Sequence, residues 1–302
     1  MVTPPYLKPG DTVGIVSTAR KISTEELHQG ITLLNNWNLK VVLGDTIGMA
    51  DHQFAGSDLE RANDLQKMMD DPNIKAIWCA RGGYGTVRII DRLDFSVFVK
   101  HPKWIIGYSD VTVLHSHIHK LNVETLHAQM PLGIEKKSEA TRVSIQNVLF
   151  EASHEIKALS EDTSKNRHGN AEGLLVGGNL SILYSLCGSP SAIDTGGKIL
   201  FIEDLDEYLY HVDRMIQNLK RNGMFKDLAG LVVGGMTQMN DNTIPFGKTA
   251  EEIIMEAVSA YNYPVCFDFP VGHVPDNRAL IMGRRARLEV DQKGILLRFG
   301  NL

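Results

Sequence analysis

Residues 74–121 read IKAIWCARGGYGTVRIIDRLDFSVFVKHPKWIIGYSDVTVLHSHIHKL, and this stretch decides the fold. Ile74–Ala80 is a short apolar run of strand type, broken by the turn Arg81-Gly82-Gly83-Tyr84-Gly85. Val87–Leu93 then reads as a helix, Lys103–Ile106 as a second strand and Val111–Leu121 as a second helix. Strands alternating with helices imply parallel pairing through right-handed crossovers. The same rhythm runs upstream. Thr12–Ser17 and Lys40–Leu43 read as strands. Thr24–Trp37 carries Leu27, Ile31 and Leu34 at helical spacing, and Asp58–Met69 carries Leu59, Ala62, Leu65 and Met69 on one face. Residues 1–150 are therefore expected to form an open α/β domain.

Downstream the character changes. Residues 151–172, EASHEIKALSEDTSKNRHGNAE, are polar and lack apolar periodicity, so they read as a linker or surface excursion. From residue 173 to 302 strands dominate: Lys198–Glu203, Leu228–Val233, Val265–Phe269, Ala286–Val290 and Gly294–Phe299. A helix over Leu180–Cys187 follows Gly177-Gly178-Asn179. The long helical patterns are Tyr208–Asn222, with Val212, Met215, Ile216 and Leu219 on its apolar face, and Lys248–Tyr261. A smaller, more β-rich second domain is expected there.

The bulk numbers exclude several functions. The chain has 302 residues, enough for one large domain or two. Hydrophobic residues make up 43% and charged residues 22%, the balance of an ordinary globular protein. A net charge of −5, from 31 basic and 36 acidic residues, offers neither a nucleic-acid footprint nor attraction to an anionic membrane. The cysteines Cys79, Cys187 and Cys266 fit neither a zinc spacing nor a disulfide framework and read as buried thiols of a reducing compartment. The opening MVTPPYLKPGDTVGIV lacks the parts of a secretory signal, and no run approaches the ~18 apolar residues of a membrane helix. A cytoplasmic protein is expected.

Four segments carry candidate chemistry. In Trp104-Ile-Ile-Gly-Tyr-Ser-Asp-Val-Thr112 a buried strand stops at Gly107 and a helix starts just after Ser109. Ligands of open α/β sheets bind beyond the carboxyl ends of the strands. A serine on that turn exposes its hydroxyl, and the Asp110 N–H at the helix start can meet an oxyanion. A plain N-cap role for Ser109 explains the same residues. The glycine turn Arg81–Gly85 sits at the same sheet edge and is either a tight turn or a source of a second oxyanion donor; it matches neither the dinucleotide nor the phosphate-loop spacing. A serine nucleophile needs a base and an orienting group. His273 lies in the proline-bracketed loop Phe269–Arg278, and Glu203 ends an apolar strand and opens an acidic run; an ordinary loop histidine and a solvated acidic loop are the plainer readings. His115 and His119 have i, i+4 spacing but no acidic partner pattern, so no metal site is expected.

Taken together and in order, these segments resemble the LD-carboxypeptidase family of serine peptidases, which also contains the microcin C immunity peptidases. The resemblance rests on Lys8-Pro-Gly-Asp-Thr-Val-Gly-Ile-Val16, Phe54-Ala-Gly56, Arg61-Ala-Asn-Asp-Leu65, Arg81–Gly85, Ile106–Thr112, Gly177-Gly-Asn-Leu180, Phe201-Ile-Glu-Asp204 and Val271-Gly-His273. It implies a Rossmann-like N-terminal domain with a β-rich C-terminal domain, a homodimer, and no metal or cofactor. It places a catalytic triad on Ser109, Glu203 and His273. It implies an oxyanion hole from the Asp110 N–H and the glycine turn, where Gly83 is taken as the donor with Gly82 and Gly85 left open. The chain departs from the family at Leu126–Met130, where His-Gly-Pro is common, and at Ser17-Thr-Ala19, where Ala-Pro-Ser is common.

The activity so implied is cleavage of the LD-peptide bond before terminal D-alanine in murein tetrapeptides, as part of cell-wall peptide recycling. Arg81 and Arg278 are candidates for holding the free carboxylate of such a substrate. A microcin-immunity-type peptidase acting on aminoacyl or peptidyl nucleotides is the close alternative, although the polar 151–172 stretch offers no aromatic platform for a base. A non-catalytic α/β ligand-binding protein is the alternative of a different class.

Overall fold

The computed structural model describes residues 1–151, 154–159 and 163–300. It divides into two compact units: Met1–Ala152 with Pro275–Ile281, and Ser153–Val274 with Met282–Leu302.

The first unit is built on a parallel sheet. Its strands are β1 (Thr12–Val16), β2 (Lys40–Leu43), β3 (Ile74–Cys79), β4 (Trp104–Gly107) and β5 (Thr125–His127). The spatial order is β5-β4-β3-β1-β2, with the strand Leu280–Met282 added beside β5. Val13, Ile15, Val16, Ile77, Trp78, Ile105 and Ile106 are all buried, as a sheet covered on both faces requires. The helices α1 (His28–Asn36), α2 (Asp58–Asp70), α3 (Ser96–Lys100), α4 (Thr112–Lys120) and α5 (Glu139–Leu149) fill the connections. A Ser57/Glu60 capping box starts α2. From β1 the chain steps outward to β2, and from β3 it steps the other way to β4 and β5. The order therefore reverses between β1 and β3. At such a switch point the connections leave in opposite directions and a crevice opens beyond the strand ends. Val16 pairs with Cys79, and Trp78 with Ile106, so the loops after β1, β3 and β4 emerge along one edge.

The second unit carries a seven-stranded mixed sheet. Its strands are β6 (Glu155–Ala158), β7 (Gly169–Asn179), β8 (Ile199–Leu205), β9 (Gly230–Thr237) and β10 (Val265–Cys266), then β12 (Arg285–Asp291) and β13 (Gly294–Phe299), with Leu280–Met282 counted as β11. The order is β10-β9-β8-β7-β12-β13-β6, parallel from β10 to β7 and antiparallel beyond. The helices are α6 (Leu180–Leu186), α7 (Leu209–Arg221) and α8 (Ala250–Ala257). The expected apolar face of α7 is fully buried: Val212, Met215, Ile216 and Leu219 pack with Leu200, Ile202, Leu231 and Val233 of the sheet and with Ile253 and Ile254 of α8. Each such side chain contributes about 1.5–3 kcal/mol of burial.

Several local expectations are corrected. The 151–172 stretch contains β6 and the start of β7; residues 152, 153 and 160–162 of it lie outside the described residues. β6 escaped notice because a four-residue edge strand needs only one buried side chain, Ile156. Val87–Leu93 is two short 3-10 turns, Thr86–Arg88 and Ile90–Arg92, rather than a helix. Strand β10 stops at Cys266, three residues short of the expected end.

Candidate active site

Ser109 stands on the turn between β4 and α4 with φ at +61°. That left-handed conformation costs a residue with a Cβ about 1–2 kcal/mol, so the turn holds the serine under strain. No side-chain cap forms at this helix start. The N-cap reading of Ser109 is therefore overturned: the φ that a cap residue adopts is extended, and this one is not. Ser109 is half-buried between the buried Tyr108 and Asp110.

The glycine turn after β3 lies against this elbow. A Cβ on Gly82 would sit 3.5 Å from the Ser109 Cβ and 3.6 Å from the Asp110 N. Gly83 follows at φ +107° and Gly85 at φ +149°. The Asp110 side chain locks the two turns together. Its carboxylate accepts from the Thr86 N–H at 2.9 Å and from the Thr86 hydroxyl at 2.6 Å. Thr86 spends its proton there, so in its 2.8 Å contact with Thr18 the Thr18 hydroxyl donates. Burial pushes the Asp110 carboxyl above the ordinary range, against the pull of the Thr86 donors. Arg61, fully buried, braces the same edge by donating to the carbonyls of Thr18 at 2.7 Å and Gly85 at 3.0 Å. The backbone of Asp110 and that of the glycine turn are thereby held side by side at one edge of the sheet.

Beneath the elbow, His115 bonds Gly107 O through Nε2 at 2.9 Å and Thr125 Oγ1 through Nδ1 at 2.8 Å. A carbonyl only accepts, so Nε2 carries the proton and Nδ1 accepts from the hydroxyl. Burial pushes His115 down to about 4. Both ring nitrogens are engaged, so this histidine is a neutral brace under β4 and not half of a metal pair with His119. Among the described residues no three His, Cys, Asp or Glu side chains group as metal ligands do.

The second unit assembles the carboxylate and the imidazole. Glu203, at the C-terminal part of β8, is fully buried. Its Oε2 accepts from the His273 Nδ1 at 2.7 Å and from the His273 backbone N–H at 3.2 Å, and its Oε1 accepts from the Asn179 Nδ2 at 3.3 Å. The pair fixes the tautomer: Nδ1 holds the proton and Nε2 keeps the lone pair, the form a general base needs. Gly272 makes this approach possible, since a Cβ there would lie 2.6 Å from Glu203 Oε2 and its φ is +103°. Asn179 caps α6 by accepting from the Ile182 N–H, which turns its amide nitrogen toward Glu203 and Asp204. Burial, and then the charge of Glu203, push Asp204 up to about 7.

Of the sequence-predicted residues, Glu203 and His273 are brought into direct contact, and Ser109, Asp110 and the glycine turn are brought to one edge of the first sheet. The Arg81 guanidinium donates to the Lys21 carbonyl at 3.0 Å and faces Glu26 at 4.0 Å. Arg278 pairs with Asp276 at 2.8 Å. Reading by sequence missed Thr86, Arg61 and Asn179. Arg61 and Asn179 do lie inside the motifs that carry the family resemblance, and that position is the signal that points to them.

Known proteins share both halves. The LD-carboxypeptidase N-terminal domain pattern matches residues 13–128, and the LD-carboxypeptidase C-terminal domain pattern matches residues 172–288. A probable murein peptide carboxypeptidase of Bacillus subtilis (strain 168) is 36% identical over 98% of this chain and 94% of its own length. A microcin self-immunity protein of Escherichia coli is 26% identical over 95% of this chain and 92% of its own. The crystal structure of a muramoyltetrapeptide carboxypeptidase from Oxalobacter formigenes superposes with a TM-score of 0.87 at 27% identity, covering 96% of this chain and 99% of that one.

Proposed function

The chain belongs to the LD-carboxypeptidase family and is a peptidase of that family, and on this premise we propose that it is a serine carboxypeptidase releasing terminal D-alanine from murein tetrapeptides. The observation that carries the serine assignment is the 2.7 Å contact of His273 Nδ1 with the buried Glu203, which leaves Nε2 as a base, together with the strained elbow that presents Ser109. In the proposed reaction His273 Nε2 takes the hydroxyl proton as Ser109 Oγ bonds the scissile carbonyl carbon. The Asp110 N–H and a glycine-turn N–H, taken as that of Gly83, receive the oxyanion. His273 then returns the proton to the leaving amine as the C–N bond breaks, and water hydrolyses the acyl-enzyme by the same route in reverse. Glu203 stabilises the imidazolium at each stage. One oxyanion donor contributes about 10²–10³ in rate and the base about 10²–10⁴.

Murein peptide as substrate rests on the 36% identical Bacillus relative and on the Oxalobacter fold match. Among the described residues no helix is long and apolar enough to cross a membrane. We further propose a cytoplasmic homodimer, as the family resemblance implies, acting on small peptides without metal or cofactor; the mild net charge speaks against nucleic-acid and membrane partners. The microcin self-immunity relative motivates a second substrate arm, an aminoacyl or peptidyl nucleotide. The deciding experiment incubates the protein and its Ser109→Ala variant with each substrate and follows products by mass spectrometry, with a fluorophosphonate probe alongside. D-alanine release and probe labelling that both vanish in the variant support the proposal. Cleavage of the nucleotide alone moves the chain to the immunity type. No labelling and unaltered ligand binding in Ser109→Ala would make it a binding protein.

A further inference from the structure

A carboxypeptidase substrate constrains where its carboxylate lies. Only the amide nitrogen and one Cα separate the scissile carbonyl carbon from the terminal carboxylate carbon, so the two are about 4 Å apart at most. The group that recognises the carboxylate must therefore stand beside the oxyanion hole. The first unit places a guanidinium there. Arg20 follows β1 at the switch point where β1 and β3 diverge, and its side chain lies across Gly83. Its Nε is 2.7 Å and its Cδ 2.6 Å from the point that a Cβ on Gly83 would occupy. Only a glycine at 83 leaves that place to the arginine. A Cβ on Gly82, the next residue back along the turn, would lie 3.5 Å from the Ser109 Cβ and 3.6 Å from the Asp110 N. Arg20, the glycine turn and the nucleophile elbow are thus contiguous within one unit.

The charge of Arg20 is also available. The residue is exposed. Among the described residues it forms no ion pair, whereas Arg81 is held by Lys21 and Glu26 and Arg278 by Asp276. Its backbone, by contrast, is anchored: the Arg20 carbonyl accepts from the Ser17 hydroxyl at 2.6 Å, and residue 20 bridges Phe54. A fixed backbone with an uncommitted fork-shaped cation suits a planar carboxylate.

We propose that Arg20 is the substrate-binding residue for the terminal carboxylate, setting the preference for a free C-terminus. This rests on the peptidase reading above and names one subsite of it. The test compares murein tetrapeptide with the same peptide ending in a carboxamide, in the wild type and in Arg20→Ala, Arg20→Gln and Arg20→Lys. The measured quantity is the acid-over-amide ratio of kcat/KM. A charge-assisted pair corresponds to a ratio change of roughly 10- to 100-fold. The ratio is expected to collapse by that factor in Arg20→Ala and Arg20→Gln and to recover in part in Arg20→Lys. Fluorophosphonate labelling of Ser109 in each variant confirms an intact elbow. A wild type that prefers the acid while Arg20→Ala keeps the same ratio overturns the Arg20 assignment and leaves the peptidase reading standing. A wild type that cleaves neither peptide and takes no label overturns both.

Discussion

Replacing Glu203 by Gln exchanges one oxygen for an NH2 group at almost constant volume. In the wild type all three partners of the carboxylate are donors: the His273 Nδ1–H, the His273 backbone N–H and the Asn179 amide. A carboxylate satisfies all of them and a carboxamide cannot. With its oxygen toward His273, the Gln turns its NH2 against the Asn179 NH2. Reversed, it faces two N–H groups instead of one. The first orientation is the cheaper, and leaving that buried donor unmatched costs about 1–3 kcal/mol of stability. Catalysis loses more. A neutral amide does not stabilise the imidazolium formed when His273 accepts the serine proton, which removes much of a general-base contribution of about 10²–10⁴-fold. The assay is D-alanine release from murein tetrapeptide at saturation, with the rate of fluorophosphonate labelling as a readout of Ser109 alone and urea unfolding for stability. A folded Glu203→Gln protein within tenfold of the wild type on both kinetic measures would refute the idea that this pair orients a catalytic base. The Gln variant also removes the charge that helps hold Asp204 up to about 7, so Asp204 is expected to titrate lower in it.

Ser109→Gly is expected to lose labelling and turnover yet to unfold about 1 kcal/mol later in urea than Ser109→Ala, because glycine accepts φ +61° without a Cβ penalty. His115, pushed down to about 4 from an unfolded value near 6.5, makes stability depend on pH. The unfolded state binds the proton first, so the stability it confers is present above about pH 6.5 and is lost as pH falls toward 4. The loss is about 3 kcal/mol. His115→Gln is expected to remove that part of the pH dependence, and denaturant titrations of both proteins at pH 7, 5.5 and 4 give the difference.

Much of this molecule was legible before its structure. The alternation of strand and helix through residue 121 is written in short apolar runs and glycine punctuation, and α7 in the spacing of Val212, Met215, Ile216 and Leu219. The illegible parts share a cause. Edge strand β6 carries one buried side chain, and the 3-10 turns after Gly85 owe their shape to Thr86 being held by Asp110 from another loop. The site divides the same way. Strand ends and a proline-bracketed loop mark Ser109, Glu203 and His273 as candidates, and only the family resemblance joins the three into one set. Gly272 has its reason only in space, as the residue that lets the Glu203 carboxylate approach.

By itself the amino-acid sequence determined the element types and the chemistry on offer, since propensity, periodicity and side-chain functional groups are properties of a residue and its near neighbours. Only the tertiary structure decided what each group does. It made Ser109 a strained elbow instead of a cap, His115 a neutral brace under β4, and Asp110 the lock between two turns. The lock depends on a contact between residues 24 apart, Thr86 and Asp110, and the carboxylate–imidazole pair on one 70 apart, Glu203 and His273. Sheet register and packing set such contacts, and no local pattern of residues encodes them.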